Sequence, residues 1–302
     1  MGGMRHASDD VDALTARLQR AQKMAASRRP APSMDAHHAT DGASEPPAER
    51  SAEPPTWADS QRGVSNWLIR SSLFGIVQRG RRAYMHDEVL ASQGKTRIVY
   101  RGERLDMADA EVWDQCVHYW ARGAENAQTM PDRIQFPAGR LLREIGRSTG
   151  TSDRRWLDRA LDRLTAGYVK IIDGDGTTIY RGQLIGPSGV DQVSREYTVD
   201  MHPDLIAIYG ANQYTRLDAD QIAAVRRYPT AHWLYRHYAS HREPHPVRPE
   251  YLRELSGAAI SPRVWRQRLP GALDRVCDVA GWSWRMDDRG LVQVTRTPGV
   301  WA

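Results

Sequence analysis

The sequence predicts an α+β fold, and three observations carry that expectation. Apolar residues recur at helical spacing in several segments between residues 106 and 277. Turn signals separate those segments at short intervals. Two pairs of strand-like runs are each joined by a turn rich in aspartate and glycine. Helix, turn, helix and then hairpin is the order of a winged helix, and this order occurs twice. The chain therefore reads as two tandem winged-helix domains, residues 63–188 and 189–302, behind a disordered N-terminal tail, residues 1–62.

The tail is set apart by composition. Up to Ser60 its only aromatic residue is Trp57, and Ala, Ser, Pro and acidic residues dominate. The runs Glu45-Pro46-Pro47 and Glu53-Pro54-Pro55 cannot bury enough apolar surface to offset their ordering entropy. Within the tail, Asp9 to Arg29 carries an amphipathic trace (Val11, Leu14, Leu18), either a short helix or a transient one. The folded part is expected to begin near Trp67.

In the first domain, residues 97–100 read as a short strand. Asp106 to Arg122 reads as a helix with Val112, Trp113, Cys116, Val117 and Trp120 on one side. A second helix runs from Ala138 to Gly146, and Gly146-Arg147-Ser148-Thr149-Gly150 is a turn. Ser152 then opens a third helix from Asp153 to Thr165. Strands over Tyr168–Ile172 and Thr177–Ile185 meet at Asp173-Gly174-Asp175-Gly176. In the second domain, Arg195–Met201 is a strand and Asp218–His241 a helix interrupted by Pro229. Arg248–Leu255 is a helix ending at Ser256-Gly257, and Ser261-Pro262 starts the next, with proline in a favoured first-turn position. Trp282–Met286 and Leu291–Thr295 close a hairpin around Asp287-Asp288-Arg289-Gly290.

Charge narrows the partners. The chain holds 42 basic and 37 acidic residues, a formal net of +5. Residues 1–66 carry a net of −1, so the remainder holds +6. All but three of the basic residues are arginine, which suits bidentate contact with phosphates and guanine edges; a GC-rich coding genome would give the same bias. Two cysteines, Cys116 and Cys277, exclude a disulfide framework and a cysteine zinc site. No run reaches the ~18 apolar residues of a membrane span, and residues 1–25 lack a signal-peptide apolar region. A cytoplasmic chain with no membrane partner is expected.

Two helices are candidates for reading DNA. From Arg140 to Lys170 there are eight basic and four acidic residues. On the third helix Leu157, Ala160, Leu161 and Leu164 share one face, Arg155 and Arg159 lie nearly opposite, and Ser152 and Arg163 flank them; Arg147 lies in the preceding turn. A solvated surface of Arg–Asp pairs is the alternative. In the second domain Trp265, Leu269, Leu273, Val276 and Cys277 form the buried stripe. Arg263 and Gln267 point away from it, flanked by Arg266 and Arg268. Pro270 removes a bond to the Arg266 carbonyl, which predicts a kink or an earlier helix end.

Catalytic signatures are missing from the sequence, and no enzyme, metal or cofactor is expected. Gly94-Lys95-Thr96 resembles the end of a phosphate-binding loop, but the required upstream glycine is Val89. His232, His237, His241 and His245 cluster without the glutamate of a zinc-protease motif. One further stretch, Trp67-Leu68-Ile69-Arg70-Ser71-Ser72-Leu73-Phe74-Gly75, is either an element packing on the first domain or a docking segment.

Several stretches resemble the TrfA family of plasmid replication initiators: residues 68–75, Arg79-Gly80-Arg81-Arg82-Ala83-Tyr84, Asp87-Glu88-Val89-Leu90-Ala91-Ser92, Gly146-Arg147-Ser148-Thr149-Gly150 with Asp153, Trp156 and Leu157, Tyr214-Thr215-Arg216, and Tyr238-Ala239-Ser240-His241. They run in order from about Trp67 to Arg296. The resemblance implies two winged-helix domains binding direct repeats (iterons) in duplex origin DNA, help in melting an adjacent AT-rich segment, and recruitment of the host replicative helicase and sliding clamp. It implies a clamp contact at Leu73-Phe74, although Arg70-Ser71-Ser72 stands where such motifs carry a glutamine. Single-stranded origin DNA and a monomer–dimer equilibrium are further expectations. A winged-helix transcription regulator and a DNA-nicking replication enzyme are the rival readings.

Overall fold

Short strands and helices alternate through the computed structural model, which describes residues 55–296 apart from 78–79, 81, 128–129, 192 and 211–212. In chain order they are β1 (Gln61–Ser65), the helical turn α1 (Asn66–Ile69), β2 (Phe74–Gly75), β3 (Tyr84–Leu90), β4 (Arg97–Glu103), β5 (Leu105–Asp106), α2 (Met107–Ala127), β6 (Arg133–Pro137), α3 (Ala138–Glu144), α4 (Thr151–Ala166), β7 (Tyr168–Ile172), β8 (Thr178–Gln183), β9 (Ser188–Val190) and β10 (Glu196–Asp200). A 3-10 segment, Pro203–Ile208, leads to β11 (Tyr214–Asp218), α5 (Ala219–Val225), α6 (Pro229–Ala239), α7 (Pro249–Leu255), α8 (Pro262–Ala280), β12 (Ser283–Met286) and β13 (Val292–Thr295). The order of three helices and an antiparallel hairpin thus occurs twice, as α2, α3, α4, β7–β8 and as α6, α7, α8, β12–β13.

Local chemistry accounts for the boundaries. Asp106 Oδ1 accepts from the amides of Ala108 and Asp109, and Asp109 Oδ2 accepts from the Asp106 amide, a reciprocal cap that starts α2. Pro229 cannot continue α5 and instead occupies the first turn of α6. Ser261 caps α8 through the Val264 amide, and Gly281 at φ 67° ends it. The earlier helix end expected at Pro270 does not occur, and α8 runs through it from Pro262 to Ala280. Helical geometry there survives the loss of one backbone bond, with Trp265, Leu269 and Leu273 buried on either side of the proline.

The strands are more extensively joined than two hairpins. β7 and β8 belong to a four-stranded antiparallel sheet in the order β3-β4-β7-β8. β10 lies between β6 and β9, and β1 pairs with β11 from Gln61↔Asp218 to Ser65↔Tyr214. Residues 1–54, including the Asp9–Arg29 trace, lie outside the described residues. Residues 55–62, assigned to the tail by composition, are part of the fold. Trp57 is buried beside Tyr209 and Tyr214 and donates to His118 Nδ1 at 2.9 Å. It fills the space beside Gly63, where a Cβ would come within 2.2 Å of its ring.

Helix α2 runs through the core, and every residue from Asp109 to Ala121 is buried. Its apolar side chains include Trp113, Cys116, Val117 and Trp120. Three of its carboxylates are buried with them, and each of the three meets an arginine. Asp109 contacts Arg82 and Arg163, each at 2.6 Å. Glu111 contacts Arg226 at 2.5 Å. Asp114 accepts two bonds from Arg236, whose side chain is 3% exposed.

The docking segment expected at Leu73 and Phe74 takes the packed form instead. The two residues are 2% and 4% exposed and lie in the main core, with Phe74 opposite Leu105 in the short parallel pair β2–β5. Large apolar side chains with so much surface to bury pack against whatever core lies within reach. Replacing Leu73 and Phe74 together by alanine is expected to destabilise the fold by several kcal/mol, since each such truncation costs about 2–5 kcal/mol. Urea denaturation checks this, and an unchanged midpoint would show that the pair is not packed.

Candidate nucleic-acid interface

Helix α4 buries Leu157, Ala160, Leu161 and Leu164 and leaves Ser152, Arg155 and Arg159 exposed. Among the described residues neither arginine has an ion pair, although Asp158 and Asp162 are close in sequence. Asp158 is engaged elsewhere, accepting from the Tyr197 hydroxyl. Ser152 stands in the first turn, not at the cap. The N-cap is Gly150, which has no side chain to offer, so the Ser152 hydroxyl stays at the exposed amino end of the helix.

Two of the residues expected on this face have other duties. Arg163 is turned inward, its side chain 10% exposed, and donates to Asp109 Oδ1 through both Nε and Nη2, at 3.2 and 2.6 Å. Each step of four residues rotates a side chain by about 40° around a helix, so Arg163 stands about 80° from Arg155 and reaches α2. Arg163 is therefore withdrawn from the candidate contacts. Arg147 packs its guanidinium 3.4 Å from the centre of the Trp156 ring and pairs with Asp153 at 3.0 Å. Ser148 Oγ also donates to Asp153, holding that carboxyl below the usual range. These contacts brace the turn between α3 and α4. Gly146 occupies the same turn at φ +67°, a conformation that favours glycine, and a Cβ there would meet the Arg226 guanidinium.

Helix α8 repeats the outward pattern. Arg263, Arg266, Gln267 and Arg268 are all exposed and lie before Pro270, while Trp265 and Leu269 are buried. Arg266 pairs with Glu250 of α7 at 2.6 Å, an exposed pair worth little on its own. Arg263, Gln267 and Arg268 have no hydrogen bond or ion pair among the described residues. The candidate face thus consists of Ser152, Arg155 and Arg159 on one helix and Arg263, Arg266, Gln267 and Arg268 on another.

Two features of charge placement escaped the sequence reading. Both hairpin turns carry paired aspartates, Asp173 and Asp175 between β7 and β8 and Asp287 and Asp288 between β12 and β13, the second pair with exposed Arg289 beside it. Of the four clustered histidines His232 and His237 are interior and His245 is exposed: His237 stacks on Trp233 with centroids 4.9 Å apart, and burial holds His232 and His237 well below the usual imidazole range. His241 lies 2.6 Å from Gln93 Oε1. The Gly94-Lys95-Thr96 stretch is the turn between β3 and β4.

The two classes of arginine on α4 are separable by experiment. Arg163→Ala leaves Asp109 buried with one cation fewer and is expected to cost about 3 kcal/mol or more. Arg155→Ala and Arg159→Ala are expected to stay within about 0.5 kcal/mol of the parent. Thermal denaturation of the three variants checks this, and equal losses would contradict the assignment.

No helix among the described residues is long and apolar enough to cross a membrane. The family model described as TrfA protein matches residues 52–295. The plasmid replication initiator protein TrfA of Escherichia coli is 24% identical over 243 residues, covering 77% of this chain and 61% of that protein. The chain therefore aligns with less than two thirds of that relative's length. A crystal structure of domains 2 and 3 of RctB is similar in fold, with a TM-score of 0.51 at 10% identity, over 76% of this chain and 96% of that one. With the family model spanning most of its length, the chain belongs to the TrfA family of plasmid replication initiators.

Proposed function

We propose that this protein initiates plasmid replication by binding repeats in duplex origin DNA through α4 and α8, each acting as the recognition helix of a winged-helix unit. The observation that carries the reading is the exposed, unpartnered set Arg155, Arg159, Arg263 and Gln267. An arginine left free of carboxylates keeps its whole donor fork for a phosphate or a guanine edge, and a glutamine suits adenine. The name of the Escherichia coli relative supports the origin as the target.

The remainder of the proposal follows from that role. The protein acts in the cytoplasm, helps open the origin and hands it to the host helicase, and it hydrolyses nothing itself. A sliding-clamp contact through Leu73 and Phe74 is not part of it, because both side chains are inside the core.

Arg155→Ala is expected to weaken binding to an origin-repeat duplex by about 1–3 kcal/mol while relaxing sequence preference. For the parent protein, log affinity should fall with log salt at about 0.9 per phosphate contacted. Fluorescence anisotropy with repeat and scrambled duplexes measures both. A nearly flat salt dependence, or an unaltered Arg155→Ala variant, would sink the assignment of α4. Nicking of supercoiled plasmid by the protein with a divalent metal would sink the non-enzymatic reading.

A further inference from the structure

A cavity of about 330 Å³ opens between the α3–α4 turn, the start of α2 and the α5–α6 junction. Its wall includes Arg147, Trp156, Arg226, Arg227, Pro229 and His232. Two carboxylates also reach it, and both are matched by cations. Asp106 is paired with Arg82 at 2.6 Å, and Glu111 with Arg226 at 2.5 Å. Arg147 is held by Asp153 and Trp156. Arg227 is different, being exposed and without an ion pair among the described residues. The cavity's uncompensated charge is therefore positive.

Two further observations lie beside Arg227. Helix α6, eleven residues long, begins at Pro229 with Tyr228 in the N-cap position, and no side chain caps it. Pro229 has no N–H to offer, so this uncapped end attracts anions through the helix dipole and the amides that follow the proline. Independently, His232 is 0% exposed and its Nε2 has no hydrogen-bond partner; its Nδ1 has only Glu111, at 3.6 Å. Buried polar atoms are nearly always satisfied, so an orphaned imidazole in a cavity wall points to a missing occupant. Burial keeps that ring neutral, and a neutral imidazole offers one donor and one acceptor.

We infer that this cavity binds a phosphate group, held by Arg227 and the amino end of α6, with His232 bonding from the wall. The phosphate has two possible sources, a free mononucleotide or the DNA backbone, and the space is of the size that small-molecule sites use. Either source would tie the α3–α4 turn, which aims α4, to α6. The backbone alternative rests on the duplex binding proposed above; the free-nucleotide alternative does not.

The test uses the full chain in phosphate-free buffer, as parent, Arg227→Ala and His232→Phe. Arg227 is exposed and unpaired, so its removal should leave the fold intact. His232→Phe removes a buried polar ring without opening a void, and a circular dichroism melt verifies that it folds. Calorimetry with dAMP reads the free source. Binding by the parent that both variants weaken by about tenfold or more assigns the cavity to a free nucleotide. If dAMP does not bind, the salt dependence of duplex affinity reads the other source. A slope lower by about 0.9 in both variants assigns it to one backbone phosphate. Loss in Arg227→Ala alone would mean a surface contact and overturn the cavity site. Absence of dAMP binding together with parent-like duplex binding by both variants would overturn it as well. A parent that binds no duplex would defeat the proposed function, and the calorimetry alone would then decide the cavity.

Discussion

Burying three carboxylates on one helix is the constraint on which the rest of this structure depends. Asp109, Glu111 and Asp114 lie within two turns of α2, inside the core, where an unpaired carboxylate would cost several kcal/mol. The fold meets that demand by delivering arginines from four separate places: Arg82 before β3, Arg163 from α4, Arg226 from the end of α5 and Arg236 from α6. Such pairs add little net stability compared with apolar packing, but breaking one is expensive. They therefore act as registration marks. Arg163 sets the rotation of α4 against α2, while Arg226 and Arg236 set α5 and α6 against the same helix.

This division of labour changes the meaning of the chain's modest positive charge. The net of +5 counts interior arginines that only neutralise buried acids. Once Arg82, Arg163, Arg226 and Arg236 are spent in this way, an anionic partner is left with the exposed cations, among them Arg155 and Arg159 on α4 and Arg263 and Arg268 on α8. At the hairpin turns Asp173, Asp175, Asp287 and Asp288 repel a phosphate backbone brought close to them, and Arg289 offsets part of that charge at the second turn. Bracing of the α3–α4 turn by Arg147, Asp153 and Trp156 then holds the α4 face at a fixed angle.

Much of the helical framework was legible in the sequence because its signals are local. The stripe of Leu157, Leu161 and Leu164, the Ser261-Pro262 start and the Asp173–Gly176 turn each announce an element from neighbouring residues alone. Strands β1, β6 and β11 carry no such signal. Gln61–Ser65 and Tyr214–Asp218 are short and mixed in polarity, and they become strands by pairing across some 150 residues. Trp57 was misread for the same reason, since its partners His118, Tyr209 and Tyr214 are all distant in sequence. At the candidate site, the exposure of Arg155, Arg159, Arg263 and Gln267 was readable from helical phase. Arg163 was not, because its inward turn depends on Asp109 of a different helix. Leu73 and Phe74 show the converse: an apolar pair looks the same in sequence whether it docks on a partner or on its own core.

The central claim is that α4 and α8 together form the surface that meets duplex DNA. Hydrogen–deuterium exchange of the full chain, with and without a duplex carrying the plasmid's origin repeats, tests it most directly. The account predicts that added duplex slows exchange in Thr151–Ala166 and Pro262–Ala280, at the amino-terminal turns of both helices, and leaves the acidic tips at 173–176 and 287–290 unchanged. Protection confined to the hairpin tips, or to neither helix, would contradict it.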